Sequence, residues 1–264
     1  MKTELILGVH IPQWLTIQDR PTLMVSITRM PKYKQIVANA PWVLDSGGFT
    51  ELAIHGGWRS TAKQHADNVR RISTSSTNMR WASPQDWMCE PSMLQKTGKT
   101  VQEHQTLTID NFIELRQLAA DLPIIPVLQG WVQADYHRHA DQYAARGIDL
   151  ETEPIVGVGS VCRRQGTIEA TQIFRTLADR GLLLHAFGLK MQGLKTSAGI
   201  VKSSDSMAWS YSMRKQRLTC GRLNTRTGVP IPSCANCLHA ALDWHTRAVN
   251  ESSDTRTEQL SFFC

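Results

Sequence analysis

Eight short apolar runs rich in β-branched residues recur along the chain, at residues 5–9, 22–26, 43–46, 81–83, 124–128, 155–158, 183–187 and 200–204. Longer stretches of helical period separate most of them, such as VQEHQTLTIDNFIELRQLAA, with Phe112, Leu115, Leu118 and Ala119 on one face, and TIEATQIFRTLADRG, which Gly181 would cap. Parallel strands need long crossovers, usually helical, so this alternation predicts an α/β protein with a parallel sheet. Eight strands fit a (β/α)8 TIM-like barrel. The first two spacings are too short for ordinary helical crossovers and predict a hairpin or an irregular start. A doubly wound open sheet lacks support, because no run leads into a GxGxxG or GxxxxGKS/T loop.

With 264 residues, 41% hydrophobic and 20% charged, the chain can bury a real core, which excludes a disordered or fibrous protein. No apolar run approaches the roughly 18 residues a membrane span needs, and Glu4 interrupts the N-terminal MKTELILGVH. An intracellular protein is therefore expected. The 29 Lys and Arg against 23 Asp and Glu leave a formal charge of +6, which favours a polyanionic partner such as nucleic acid. Arg163, Arg164, Arg214 and Lys215 are candidates to hold phosphates.

Four apolar runs end on, or soon reach, a polar residue able to bind or react: Asp45 in WVLDSGG, Asp86 in WASPQDWM, Gln129 in IIPVLQGW and Asp205 in IVKSSDSMAW. An Asp before Ser or Gly is often only a cap or an Asx turn. In a barrel, however, all four would converge on the C-terminal rim, where active sites sit. Gly47, Gly48, Gly130, Gly157 and Gly159 strip side chains from that rim, and Phe49, Trp87, Met88, Trp131 and Phe187 are candidate apolar walls. Carboxylates and an amide in a flat slot suit substitution at a sugar anomeric carbon, or recognition of guanine by its N1–H and N2–H2 donors and its O6 acceptor. One site can do both.

VLDSGGF, PQDWMCE, VLQG, GVGS, HAFGLK, SSDSMAW and a C-terminal cysteine cluster resemble, in that order, the tRNA-guanine transglycosylases. The likeness is greater to their phage and bacterial branch, which exchanges guanine in DNA for a 7-deazaguanine base such as 7-cyano-7-deazaguanine. The resemblance implies a ping-pong exchange in which Asp205 attacks C1′ and Asp45 manages the protons. It further implies that Asp86 and Gln129 read the base, with Ser46, Gly47, Gly157 and Gly159 lining the slot and Phe187 packing on the ring. DNA and a free 7-deazaguanine would be the partners, in the cytoplasm of a bacterial or phage-infected cell. SMAWS after Asp205 lacks the Arg-containing loop of the tRNA enzymes, and the chain is shorter than they are; both points favour DNA over tRNA. A retaining glycosidase and a non-catalytic nucleic-acid-binding protein are the other readings.

Cys220, Cys234 and Cys237, the last two as a CxxC knuckle, suggest structural Zn2+. His239 is the expected fourth ligand and His245 the alternative, since a helix starting near Cys237 would carry His245 about 12 Å along its axis. The expected organisation is a catalytic barrel over residues 1–215 and a zinc-binding segment over 216–264 packed on it. His137 and His139 are expected to face solvent, and Cys89 to be a buried thiol or pocket wall.

Overall fold

The computed structural model describes residues 2–30, 35–162, 166–221, 228–229 and 233–261, with side chains described as far as residue 252. Eight strands form one all-parallel sheet: β1 (Glu4–Val9), β2 (Leu23–Ser26), β3 (Trp42–Asp45), β4 (Met79–Ala82), β5 (Val127–Leu128), β6 (Val156–Val158), β7 (Leu184–Ala186) and β8 (Ser203–Ser206). Their order is β4-β3-β2-β1-β8-β7-β6-β5, so the first and last strands of the chain are neighbours. The sheet curls until its edges meet. There a single parallel bridge joins Ala82 to Ile124, with Ala82 N–H donating to Pro123 O at 3.0 Å and Ile125 N–H to Ala82 O at 3.1 Å. The chain is thus an α/β barrel of the (β/α)8 type.

The helices follow from local chemistry. They are α1 (Gly48–His55), α2 (Ala62–Ser75), α3 (Pro91–Thr97), α4 (Val101–Leu118), α5 (Gln133–Ala145), α6 (Ile168–Ala178), α7 (Met191–Ser197), α8 (Ala208–Lys215) and α9 (Leu238–Ser261). Thr61 with Gln64 and Thr100 with Glu103 form reciprocal capping boxes that start α2 and α4. Ala62, His65, Ala66, Val69 and Ile72 then give α2 one buried stripe at helical spacing. On α4 the buried face includes Phe112 and Leu115, whereas Leu118 is exposed, because the helix ends there and the chain turns away.

The start of the barrel is irregular but, among the described residues, holds no hairpin. Strands β1, β2 and β3 are parallel, in registers Leu7↔Leu23 and Leu23↔Trp42. A short 3-10 turn, Pro12–Thr16, stands where a crossover helix would be and buries Trp14 and Leu15. Arg20 fastens both short connections. Its buried guanidinium donates to the carbonyls of Leu15, Pro21, Ala40 and Pro41, and its pKa is lowered to about 10 by burial. The long C-terminal α9 packs on α7, α8 and β1 and covers the side that lacks early helices.

Strands buried on both faces are expected of a barrel. Outward residues such as Leu5, Leu7, Leu23, Val25 and Leu44 pack under the helices. Inward residues Ile6, Met24, Val43, Trp81, Ile125 and Ile155 form a separate cluster inside the barrel. The inward alternation continues from Val43 to Asp45, and Ile6 stands beside Asp205 across the β1–β8 ladder. The barrel interior therefore passes from apolar to acidic towards the C-terminal ends of its strands.

Candidate active site

Asp45, the last residue of β3, is half-buried. Its Oδ2 accepts from Gly47 N–H at 2.9 Å in an Asx turn that starts α1. Gly47 has φ +77°, and a side chain there would meet Thr28 Cγ2 at 2.8 Å, so both its backbone and its packing require glycine. Ser46 Oγ lies 3.5 Å from Asp86 Oδ1. Asp86 follows β4 and is tied to β5, because the Gln129 side-chain amide donates to its Oδ2. Burial, then the charge of Asp205, push Asp45 up to about 6, while the Gly47 N–H and the Ser26 hydroxyl pull it down. Burial, then the charge of Asp45, push Asp86 up to about 7 against the Gln129 amide. The charge of Asp205 thus acts on Asp45 and that of Asp45 on Asp86, so Asp45 and Asp86 do not both ionise easily near neutrality.

Gln129 is fully buried and held on every side. Its N–H donates to His139 Nδ1 at 2.8 Å, its carbonyl accepts from Gln105 Nε2 at 2.7 Å, and its side-chain oxygen accepts from Ser160 Oγ at 2.7 Å. His139, expected in solvent, is fully buried and pushed down to about 3 by burial, which keeps its ring neutral and able to accept that bond. His137 is half-buried beside Thr176. Ser160, in the left-handed region at φ +57°, also reaches Glu90 Oε2 at 3.0 Å and accepts from Cys89 N–H at 2.7 Å. Cys89 is the buried thiol expected, its pKa raised by burial. A side chain at Gly159 would fall 2.2 Å from Gln129 Nε2, and one at Gly157 2.6 Å from Phe187 Cε2. The two glycines give room to the amide and the ring respectively.

Asp205 lies on β8, where three serines make a strand of buried polar residues. Its Oδ1 accepts from Gly188 N–H at 2.8 Å. Phe187 is half-buried over the inner cluster, 6.2 Å centroid to centroid from Trp81. Asp45, Asp86, Gln129, Gly159, Phe187 and Asp205 therefore come together at the C-terminal ends of their strands. Phe49 is exposed at the start of α1. A cavity of about 270 Å³ lined by Arg80, Trp81, Ile125, Pro154 and Lys202 is towards the other end of the barrel, since Ile125, Pro154 and Lys202 precede their strands. Sequence reasoning missed Ser160, Glu90, His139, Gln105 and His185. The histidine in HAFGLK was the available signal for the last of these, as a polar residue inside an apolar run.

Cys220, Cys234 and Cys237 bring their sulfurs within 4.8 Å of one another. The separations are 3.1 Å for Cys220–Cys234 and 3.7 Å for Cys220–Cys237. Tetrahedral zinc with Zn–S near 2.3 Å spaces its sulfurs about 3.8 Å apart, so a small expansion admits the ion. Burial and the neighbouring thiols push Cys234 up to about 11, a crowding that a divalent cation would relieve. His239 stands outside this triangle with Nδ1 3.0 Å from Asp243 Oδ2, and His245 Nε2 lies 2.9 Å from Leu5 O, where it ties α9 to β1.

Arg163 and Arg164 lie outside the described residues. Arg214 on α8 places Nη2 3.5 Å from His10 Nε2, just beyond β1, and Lys215 lies 5.8 Å over the exposed ring of Tyr211. Burial, then Arg29 and Arg214, lower the pKa of His10, so these cations share one side of the rim. No helix among the described residues is long and apolar enough to cross a membrane.

No curated protein matches the chain. Among solved structures, it aligns with a Sinorhizobium meliloti protein assigned as an isomerase and crystallised in an open-loop conformation. That alignment has 10% identity and a TM-score of 0.45, and it covers 88% of this chain and 57% of the other. A family model described as DpdA, DeoxyPurine in DNA protein A, matches residues 1–262. With a match over nearly its whole length, the chain belongs to the DpdA family, the DNA 7-deazaguanine transglycosylase branch of the tRNA-guanine transglycosylase superfamily.

Proposed function

We propose that the protein is a pentosyltransferase that exchanges guanine in DNA for a free 7-deazaguanine, such as 7-cyano-7-deazaguanine, through a covalent aspartyl intermediate. The observation that carries this reading is the convergence of three interacting carboxyl groups with one fixed amide, two of the acids having pKa values near 6 and 7. Asp205 attacks C1′ as the C1′–N9 bond breaks, and guanine leaves with a proton from Asp45. The incoming base then attacks C1′ through N9 and gives its N9 proton back to Asp45, which restores the Asp205 carboxylate. An acid with a pKa near 6 can both give and take that proton close to neutrality.

In this reading the base replaces the Gln129–Asp86 contact, with Asp86 accepting from guanine N1–H and N2–H2 and Gln129 donating to O6. Phe187 packs on the ring, and Ser46, Gly47, Gly157 and Gly159 border it. The target nucleotide must be single-stranded or flipped, because a duplex buries its C1′ and base edge. Arg214 and Lys215, joined by His10 and Arg29, suit the phosphates on one side of the rim. Zn2+ would be structural, held by Cys220, Cys234 and Cys237, with His239 as fourth ligand once its partly exposed side chain turns from Asp243. The ion would tie residues 216–264 to the barrel of residues 1–215. The protein would act in the cytoplasm of a bacterial or phage-infected cell.

The test is trapping. Wild-type protein mixed with guanine-containing single-stranded DNA should give a denaturant-resistant adduct, and Asp205→Asn should give none. An adduct that survives this substitution removes Asp205 as nucleophile. Labelled base entering tRNA and not DNA would replace the DNA reading by the tRNA one.

A further inference from the structure

Beneath the acidic rim the barrel holds an imidazole that the exchange reaction described above does not use. His185 on β7 is fully buried. Its ring is packed edge-on between Trp81, 4.8 Å away, and Phe187, 4.7 Å away, which leaves it no room to turn aside. Nδ1 lies 2.9 Å from Ser203 Oγ, and Nε2 points at the other inward residue of the same strand, 3.4 Å from Asp205 Oδ1. Nε2 makes no hydrogen bond. A buried ring nitrogen without a partner is costly, and 3.4 Å is one small adjustment from a bond.

The oxygen it approaches is already engaged, because Gly188 N–H donates to the same Oδ1 at 2.8 Å. No donor among the described residues reaches Oδ2. We propose that His185 is the positioning residue of the nucleophile: together with Gly188 it anchors Oδ1 of Asp205 and so makes Oδ2 the atom that attacks C1′. The proposal rests on the transglycosylase reading and deepens it. The arrangement requires the Ser203 hydroxyl to donate to Nδ1, 2.9 Å away, and the ring to present an Nε2–H to Asp205.

The anchoring serves both halves of the exchange. In the first, the Oδ2 lone pair forms the bond to C1′ while the C1′–N9 pair leaves with guanine, and Oδ1 becomes the carbonyl oxygen of the ester. In the second, the Oδ2–C1′ pair returns to the carboxylate as the new base bonds to C1′, and the regained charge is shared with Oδ1, where both donors wait. In the second half, therefore, donors at Oδ1 face an atom that gains charge and strengthen as the step proceeds, while in the first they fix the orientation of Oδ2; long contacts of this kind shorten when substrate binds.

Two variants and one spectrum test this. His185→Leu removes the donor, and His185→Gln keeps an amide N–H close to the position of Nε2. We expect His185→Leu to lower kcat for exchange roughly ten- to hundredfold with KM for single-stranded DNA little changed, and His185→Gln to recover most of the rate. Equal loss in the two variants, an unchanged rate in His185→Leu, or a rise in KM in place of the fall in kcat overturns the proposal. Nitrogen-15 spectra of the wild type should show the Nε2–H tautomer of His185, shifted by Asp205→Asn; an Nδ1–H tautomer also overturns it. Asp205→Asn separates the two levels of inference. If that variant still exchanges guanine, the reading of Asp205 as nucleophile falls and this proposal with it, whereas a dead Asp205→Asn beside an unaffected His185→Leu removes only His185. Should the wild type exchange no base at all, the tautomer and its response to Asp205→Asn still decide whether His185 and Asp205 are paired.

Discussion

The rim of the barrel and the C-terminal thiol cluster each gather three groups that repel when ionised, and they handle the repulsion differently. At the rim, Asp45, Asp86 and Asp205 are met by neutral dipoles: the N–H groups of Gly47 and Gly188 and the amide of Gln129. These offset burial only in part, so Asp45 and Asp86 hold protons up to about pH 6 and 7. At the cluster, Cys220, Cys234 and Cys237 face one another, and Cys234 is pushed up to about 11. Neutral dipoles leave a set of acids able to exchange protons in use, while three thiols within 4.8 Å of one another form a set suited to a cation. One arrangement suits chemistry and the other suits closure.

The contrast breaks hardest at Asp45. Asp45→Asn keeps the shape of the Asx turn but removes the titrating proton, and it should lower the exchange rate by roughly 10²- to 10⁴-fold with a melting temperature no lower than that of the wild type. A loss that instead tracked unfolding would make Asp45 a turn residue only.

At the cluster the opposite pattern is expected. Cys234→Ser, or chelation of the wild type, should cost several kcal/mol of stability while the rate per folded molecule stays near normal. Direct loss of kcat in chelated but folded protein would place the metal in the reaction.

The support behind the rim is tested by Gly159→Ala. A Cβ 2.2 Å from Gln129 Nε2 must displace that amide, which should raise KM for the free base about tenfold and cost ~1–3 kcal/mol of stability. Equal base affinity in the variant would take Gln129 out of base recognition.

The smallest effect is the pH dependence of folding. The folded-state values of Asp45 and Asp86 lie above the ordinary 3.8, so their contribution to stability is complete below about pH 4 and is lost as pH rises through about 6 and 7. Calorimetry from pH 4 to 8 should show a wild-type melting temperature falling by a few degrees relative to Asp86→Asn, whose amide cannot ionise. Parallel curves for the two proteins would mean that Asp86 does not hold its proton in the native state.

Much of this was legible in the amino-acid order, for identifiable reasons. Strands such as Leu5–Val9 and Trp42–Asp45 are buried on both faces and read as apolar runs. β8 did not read so: the apolar signal ends near Ser204, three residues after Val201, whereas the strand is Ser203–Ser206, whose inward positions Ser203 and Asp205 are polar and both face His185 on β7. Hydrophobic pattern fails where the barrel lines itself with chemistry. His139 misled for the opposite reason, since its polar neighbours on α5 conceal that its ring turns inwards to Gln129.

Local sequence was enough to specify the alternation of strand and helix, the acids at strand ends and the cysteine spacing, because period, turn chemistry and ligand spacing act over a few residues. Which acids meet, which of them hold protons, and which oxygen of Asp205 is anchored depend on contacts between β3, β4, β5, β7 and β8, tens to more than a hundred residues apart. Those contacts exist only once the sheet has curled, because burial and charge act through space and not along the chain.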